Sequence, residues 1–299
     1  MTGSFLLTGR RWFGPRVIWG VIWLAALLPQ EGRCQPLRIT TWNMSWLTPR
    51  AASDPALPED IYHRSPEDVQ RLGGYARRVD ADIVGFQEVD GPQIAARVFP
   101  APRYHIYMTD DPVVQRVGLA VRNSLSVERH PDLTDLNVYP PSAPHPLRSG
   151  LDVTVSDGKT SLRILVLHLK TGCWDNPPDE RKHACPTLRR QFEILSDWIL
   201  ERQDEGEAFA IMGDFNRRMT PGDPLFHGLS QSSPLLLTTS GKASPCWDGE
   251  YFIDHILLGG QARNWLVPDS LRVMTFRGAG ETPRNTSDHC PVSVELSLP

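Results

Sequence analysis

The stretch Phe209-Ala210-Ile211-Met212-Gly213-Asp214-Phe215-Asn216 decides how this chain is read. Its apolar run has the length of a buried strand. It drives straight into an acid and an amide two positions apart. Burying either group without a partner costs about 1–3 kcal/mol, so a core strand does not stop on Asp-x-Asn unless the pair faces a site. Three more runs end in the same way, on amide, carboxylate or imidazole. They are Ile39-Thr40-Thr41-Trp42-Asn43, Ile83-Val84-Gly85-Phe86-Gln87-Glu88 and Leu162-Arg163-Ile164-Leu165-Val166-Leu167-His168. Polar groups at several strand ends, gathered on one rim, have the make-up of a catalytic mouth.

The first 35 residues stand outside this pattern. Arg10, Arg11 and Arg16 precede an uncharged apolar run over residues 17–28, which breaks at Pro29. A basic start and about a dozen apolar residues fit a signal peptide, and the run falls short of the ~20 residues of a membrane span. No small-x-small cleavage site follows, so an uncleaved membrane anchor over residues 17–28 is the competing reading. Arg10-Arg11-Trp12-Phe13 faintly resembles a twin-arginine export signal, and Glu31-Gly32-Arg33 makes Cys34 a poor lipoprotein site. Residues 1–35 are thus expected to be a signal peptide or N-terminal anchor, and residues 36–299 an exported domain, periplasmic or extracellular.

Composition and charge narrow the partners. With 40% hydrophobic and 22% charged residues and no repeat, the 299-residue chain is globular and long enough to bury a sizeable core. Its 27 prolines imply long, stiffened loops rather than disorder. The formal charge is −4; without residues 1–34, which hold four of the 31 bases and one of the 35 acids, it becomes −7. Proteins that grip nucleic acid by their general surface are usually basic. Any polyanionic substrate must therefore be held locally, by a metal ion and a few arginines. Nothing signals a protein partner, and a monomer is expected.

Cysteine usage agrees with export. Cys173 and Cys185 bracket a polar, proline-containing loop whose closure by a disulfide is worth about 3 kcal/mol in the chain-entropy picture. A zinc site is the rival, but the Cys-x-x-Cys spacing of structural zinc is absent. Elimination leaves Cys246 and Cys290 as a second pair.

Strand-like runs alternate with a few helices. Ser65-Pro66-Glu67-Asp68 starts a helix, with Ser as N-cap and Pro in the first turn, and it should run to about Val79. A second helix follows Pro186, with Leu188, Phe192, Leu195 and Ile199 at helical spacing. Further strands are expected at Val117–Val121, Leu151–Val155, Tyr251–Leu258, Leu271–Phe276 and Val292–Leu296. No linker divides the chain, so one mixed α/β domain is expected.

Taken singly, the polar residues have ordinary explanations. Asn43 could be a turn residue, Glu88 a solvated strand end, His168 a satisfied strand histidine, and Ser287-Asp288-His289 a loop. Asp254, inside the run Tyr251-Phe252-Ile253-Asp254-His255-Ile256, is harder to dismiss, since a carboxylate in a strand needs a partner. As a set, a shared site explains them better than coincidence.

Their order is also a known one. Thr41-Trp42-Asn43, Phe86-Gln87-Glu88-Val89, Leu167-His168-Leu169-Lys170, Gly213-Asp214-Phe215-Asn216, Ile253-Asp254-His255-Ile256 and Ser287-Asp288-His289-Cys290-Pro291-Val292 follow one another along the chain. This resembles the endonuclease/exonuclease/phosphatase superfamily, the DNase I-like phosphoesterases, from about Leu37 to Leu296. The resemblance implies an α/β (α+β) four-layer sandwich of two mixed sheets flanked by helices, with the site at one rim. It also implies hydrolysis of a phosphate ester with a divalent ion, Mg²⁺ or Mn²⁺. The hard oxygen donors in these motifs suit Mg²⁺ independently.

By the same resemblance, Glu88 is the main metal ligand, with Asn43 nearby and Asp288 helping from the other side. Asp214 orients or deprotonates the attacking water, and Asn216 holds a phosphoryl oxygen or that water. Asp254 bonds His289 and fixes its tautomer, the carboxylate–imidazole logic of a triad turned to phosphorus. His168 binds phosphate or assists the leaving oxygen, and Arg148 is the candidate phosphate clamp. Three departures stand out. Ser45 follows Asn43 where the abasic-site endonucleases carry other residues. Asp110 and Asp111 are the nearest in position to the carboxylate that partners the second histidine in DNase I. His255 follows Asp254 where inositol polyphosphate 5-phosphatases carry Arg, although Trp247 matches their pattern. The leading expectation is a nuclease that cleaves DNA or RNA; the alternatives are a phosphatase or phospholipase acting on inositol phosphates or sphingomyelin, and a non-catalytic scaffold.

Overall fold

Alternation along the strands builds two faces on each of two sheets. The structure, a computed structural model, describes Gly9 and residues 36–299 apart from residues 183, 247, 248, 250 and 251 and the side chain at 232. The expected signal or anchor segment and Trp247 lie outside the described residues. The first sheet runs β11 (Arg272–Val273), β12 (Val292–Leu296), β1 (Leu37–Leu47), β2 (Ile83–Val89), β4 (Arg116–Arg122), β3 (Tyr104–Met108). The second runs β5 (Ser126–Arg129), β6 (Leu151–Ser156), β7 (Ser161–His168), β8 (Phe209–Asp214), β10 (Asp254–Gly259), β9 (Leu236–Leu237). Both are mixed, with parallel pairs at β1–β2 and β7–β8.

Ile39, Ile83, Leu119 and Val294 of the first sheet pack with Val153, Ile164, Val166, Ala210, Met212 and Ile256 of the second. That is every second residue of each strand, as face-to-face sheets require. The other residues of the same strands face the helices. Trp42, Met44 and Phe86 pack against α1 (Pro66–Val79) and α2 (Pro92–Val98). Leu165, Leu167, Phe209 and Ile211 pack against α3 (Cys185–Asp204) and α4 (Pro224–Ser232). The result is the four-layer α/β sandwich expected.

Local signals account for the two long helices. Ser65 Oγ accepts the Asp68 N–H at 3.2 Å while the Asp68 carboxylate takes the Ser65 N–H at 2.9 Å, a reciprocal capping box. The helix α3 starts at Cys185, one residue before Pro186. The two helices not expected from the sequence, α2 and α4, span 7 and 9 residues, too short for periodicity to register. The expected strand at Tyr251 begins only at Asp254, and that at Leu271–Phe276 shrinks to Arg272–Val273. No helix of the described residues is long and apolar enough to cross a membrane.

Both cysteine pairs are disulfides. Cys173–Cys185 closes the loop before α3, with Cα atoms 4.9 Å apart. Cys246–Cys290 ties the 244–249 loop to the residue after His289. In the chain-entropy picture these are worth about 3 and about 4 kcal/mol. Replacing both cysteines of the first pair by Ser is expected to lower urea stability by about 3 kcal/mol, and non-reduced mass spectrometry should find no free Cys173. A free thiol there, or unchanged stability, would contradict the assignment. Gly213 tests the sheet itself: it has φ +152°, and a Cβ would lie 2.0 Å from the Leu167 carbonyl oxygen. Gly213→Ala should therefore cost upwards of about 4 kcal/mol in urea denaturation, and a loss below about 1 kcal/mol would refute the packing.

Candidate active site

Three adjacent strands of the second sheet end on one row. In the β7–β8 and β8–β10 registers His168 stands opposite Asp214, and Asp214 opposite Asp254. All three are in phase with the inner-face residues Val166, Met212 and Ile256, so their side chains turn toward the other sheet. Asn43 meets this row from the first sheet, in phase with Ile39 and paired in register with Gln87.

Simple alternation would put Gln87 inside and Glu88 outside. Glu88 instead adopts φ 60°, and the pairing of β2 with β4 shifts register between Phe86 and Val89. A bulge of this kind re-aims a side chain, here onto the inner rim. Of six non-glycine residues with left-handed backbone among the described residues, four surround this rim: Ser45, Trp46, Glu88 and Asn216. Each such residue costs about 1–3 kcal/mol, and such strain collects at functional sites.

Asn43 joins the two sheets' carboxylates. Its Nδ2 donates to Glu88 Oε1 at 3.1 Å and to Asp214 Oδ2 at 3.0 Å, and its Oδ1 accepts the Ser45 N–H at 2.9 Å. The reverse amide orientation would set oxygen against two carboxylates and NH₂ against an N–H, so the assignment is determined. Asn43 thus presents hydrogens to the two acids. Glu88 Oε2 accepts the Trp46 N–H at 3.0 Å. Ser45 Oγ bonds Asp288, whose side chain is 63% exposed against 2% for Asp214. The carboxylates of Glu88 and Asp288 therefore flank the Ser45–Trp46 turn.

Asp254 and His289 form the second half of the site. His289 Nδ1 and Asp254 Oδ2 are 2.7 Å apart, and His289 Nε2 stands 3.9 Å from Asp214 Oδ2. Burial pulls the imidazole pKa down, but Asp254, Asp214 and Asp288 together raise it well above its ordinary value. Asp214 is pushed up to about 7, first by burial and then, against the favourable His289 cation, by the like charges of Asp254 and Glu88. Asp214, Asp254 and His289 present ligand atoms within 4.8 Å of one another, a group able to hold a metal ion. A 2.7 Å separation is equally that of a charge-assisted hydrogen bond, with the proton between carboxylate and ring.

His168 Nε2 lies 3.6 Å from both Glu88 Oε1 and Asp214 Oδ2, and its Nδ1 is buried without a partner. Burial first, then Arg148 and His289, hold its pKa well below the ordinary value, so it stays neutral. Neither Asp110 nor Asp111 partners it. Asp110 pairs with Arg129, and Asp111 accepts both the N–H and the hydroxyl of Ser149. Asn216 donates its backbone N–H to Asp214 Oδ1 at 2.8 Å and its Nδ2 to the Leu169 carbonyl at 3.1 Å. Arg148 Nη2 reaches the same carbonyl at 3.3 Å, while its buried Nε has no partner. Burial lowers the Arg148 pKa, opposed by the nearby charges of Glu88, Asp214 and Asp111.

All nine expected site residues therefore gather on one rim, from positions as much as 246 apart in the chain (Asn43 to His289). The sequence reading missed the groups that hold them. Ser287 Oγ donates to the Asn43 carbonyl at 2.8 Å and accepts the His289 N–H at 3.0 Å. Arg64 donates to the Ser45 and Thr286 carbonyls at 2.7 and 2.6 Å and so ties the two loops together. Only the first had a local signal, as the Ser of the Ser-Asp-His motif.

The metal question has a chemical answer in the donor set. Glu88 and Asp288 offer hard oxygens, Asp254 Oδ1 is buried without a partner, and Cys290 is locked in a disulfide and offers no thiolate. Buried acids with one neutral histidine beside them suit a hard divalent cation.

The comparisons agree with this geometry. A model of the Endonuclease/Exonuclease/phosphatase family matches residues 40–289. No curated protein sequence matches the chain. Among solved structures, truncated Caenorhabditis elegans TDP2 superposes with TM-score 0.56 and 16% identity, over 87% of this chain and 97% of that one. D. rerio TDP2 complexed with single strand DNA product gives 0.56 and 17%, over 87% and 98%. The human Nocturnin catalytic domain with bound sulfate anion gives 0.55 and 17%, over 87% and 93%. At these identities the structures share a fold with the chain. With the family model spanning most of its length, the chain belongs to the Endonuclease/Exonuclease/phosphatase family and is a metal-dependent phosphoric ester hydrolase.

Proposed function

We propose that this chain is an exported phosphodiesterase that hydrolyses nucleic acid with Mg²⁺ or Mn²⁺. The observation that carries the reading is Asp214. It is a buried carboxylate with its pKa raised to about 7, bonded by Asn43 and standing between a neutral and a cationic histidine. A base poised near neutral pH is what activation of water requires. The two disulfides support export, since such bonds persist in oxidising compartments.

Each residue then has a task. Asp214 orients the water and accepts its proton. Asn43 keeps Glu88 and Asp214 close despite their like charge. Asn216, whose Nδ2 donates to the Leu169 carbonyl, holds that water or a phosphoryl oxygen in line. His289, kept cationic and fixed by Asp254, stabilises charge on the phosphoryl oxygens. Neutral His168 and Arg148 contact the ester from the other side, Arg148 as the phosphate clamp. Glu88 and Asp288 would hold the ion, which when bound neutralises phosphate charge and polarises the phosphoryl group.

Three measurements test this. The full chain, oxidised, is assayed on plasmid DNA, RNA, sphingomyelin and inositol phosphates. Cleavage of nucleic acid with Mg²⁺ or Mn²⁺ is expected, with loss in EDTA and a fall of 10³-fold or more (order of magnitude) in Asp214→Asn. Activity that survives both treatments sinks the mechanism, and action on inositol phosphates or sphingomyelin alone replaces the substrate. The second is an NMR titration of the metal-free protein. Asp214, whose folded pKa is raised, should deprotonate about pH 7, so its protonated form adds stability that is lost as pH rises through 7. An Asp214 midpoint in the ordinary carboxylate range would refute this. The third is Asp254→Asn, which removes the anion that raises His289. Its imidazole midpoint should drop and kcat should fall with KM little changed; an unmoved midpoint would reject the pairing.

A further inference from the structure

A groove of about 760 Å³ opens beside the catalytic rim, walled by Trp46, Val113, Tyr139, Pro146, Arg148 and Lys170 among others. That volume is in the range of sites that take a nucleotide-sized ligand. Trp46 anchors the groove to the site, because its backbone N–H holds Glu88. Arg148 lies on the same boundary and feels the charges of Glu88 and Asp214.

The groove's charge is out of keeping with the chain. The protein has a formal charge of −4, yet no Asp or Glu lines this groove. Arg50, a third base in its wall, is neutralised by Asp90 and Asp54. Arg148 and Lys170 have no carboxylate partner among the described residues. Lys170 feels its neighbour: its pKa is lowered by burial and then by Arg148. Two cations held together with no ion-pair partner in contact cost energy that a bound anion recovers. Tyr139, close enough to Arg148 to act on its charge, and half-buried Trp46 add aromatic surface to the same walls.

Resting on the nuclease reading, we infer that this groove is a subsite for a single-stranded polynucleotide, in which Lys170 binds the phosphate next to the scissile one and Tyr139 stacks an unpaired base. The chemistry discriminates among phosphate esters. A choline headgroup is cationic and meets two bases and no acid here. An inositol polyphosphate has no π-face for Tyr139 or the apolar wall to engage. A polynucleotide strand supplies both an adjacent phosphate and a stacking ring, the two elements from which single-strand binding is built. A duplex keeps its bases paired and offers the groove only phosphates.

The test is fluorescence anisotropy of a labelled dT12 with the full oxidised chain in EDTA, so that binding is read without turnover. Lys170→Ala should weaken binding by about tenfold and reduce the slope of log K against log salt by about 0.7, the share of one single-strand phosphate. Tyr139→Ala should weaken it by about fivefold or more with the slope unchanged. Lys170→Arg and Tyr139→Phe should restore most of the binding, which separates these roles from misfolding. Lys159→Ala, on an exposed turn, should bind like wild type. A blunt duplex of equal length should bind more weakly than dT12. The inference is overturned if wild type fails to bind dT12, if both alanine variants bind it normally, or if the duplex binds better. Should wild type still cleave DNA or RNA with Mg²⁺ or Mn²⁺, only the groove assignment falls. Should it cleave neither nucleic acid, the nuclease reading itself falls.

Discussion

The rest of this structure depends on holding two carboxylates, part-buried Glu88 and buried Asp214, close together at the seam of two sheets. Like charges out of water repel and are poorly solvated, so the pair persists only where donors and cations compensate it. Asn43 Nδ2 supplies one hydrogen bond to each acid. Raising Asp214 toward neutrality supplies more relief, and the His289 cation the remainder. The same compensation sets the Asp214 carboxyl to about 7 and leaves hard oxygens suited to a divalent ion. Stability and chemistry are here two results of one electrostatic arrangement.

The scaffold that imposes this arrangement is the face-to-face packing of the sheets. Ile39, Val166, Met212 and Ile256 fill the seam, and the next inner-face positions along their strands bring Asn43, His168, Asp214 and Asp254 to its rim. Loops then add what strands cannot. The left-handed backbone at Ser45, Trp46 and Glu88 turns N–H groups and a carboxylate inward. Arg64 and Ser287 clamp the Ser45 turn to the loop bearing Asp288 and His289, and Cys246–Cys290 braces that loop from behind. Function follows from where the strands stop.

The rim does not explain which ester the enzyme selects. On the proposed reading, selectivity lies in the adjoining groove, whose walls include residues of the 112–115, 139–148 and 170–171 segments. Pro112, Pro144 and Pro146 stand in its walls. On that reading, an acidic protein acts on a polyanion by placing Arg148 and Lys170 in a groove that no Asp or Glu lines.

What the sequence determined by itself was the periodicity and its interruptions. Alternation in Ile211-Met212-Gly213-Asp214 and in Leu165-Val166-Leu167-His168 assigns each polar residue to the face of its apolar neighbours, because side chains in a strand reverse every residue. Ser65-Pro66-Glu67-Asp68 announces its helix through local hydrogen bonds that need no tertiary partner. Glu88 was legible as a candidate but not as an inward group, since alternation alone points it the wrong way and only the bulge at Phe86–Val89 corrects it. Asn43 was legible as a site residue, but its amide orientation depends on which acids arrive from strands far away in sequence. Arg64 and Tyr139 carried no local signal at all, and Lys170 only its place after His168 in a motif. Their roles arise from the charges and cavities that face them, and such neighbours are decided only when distant segments pack.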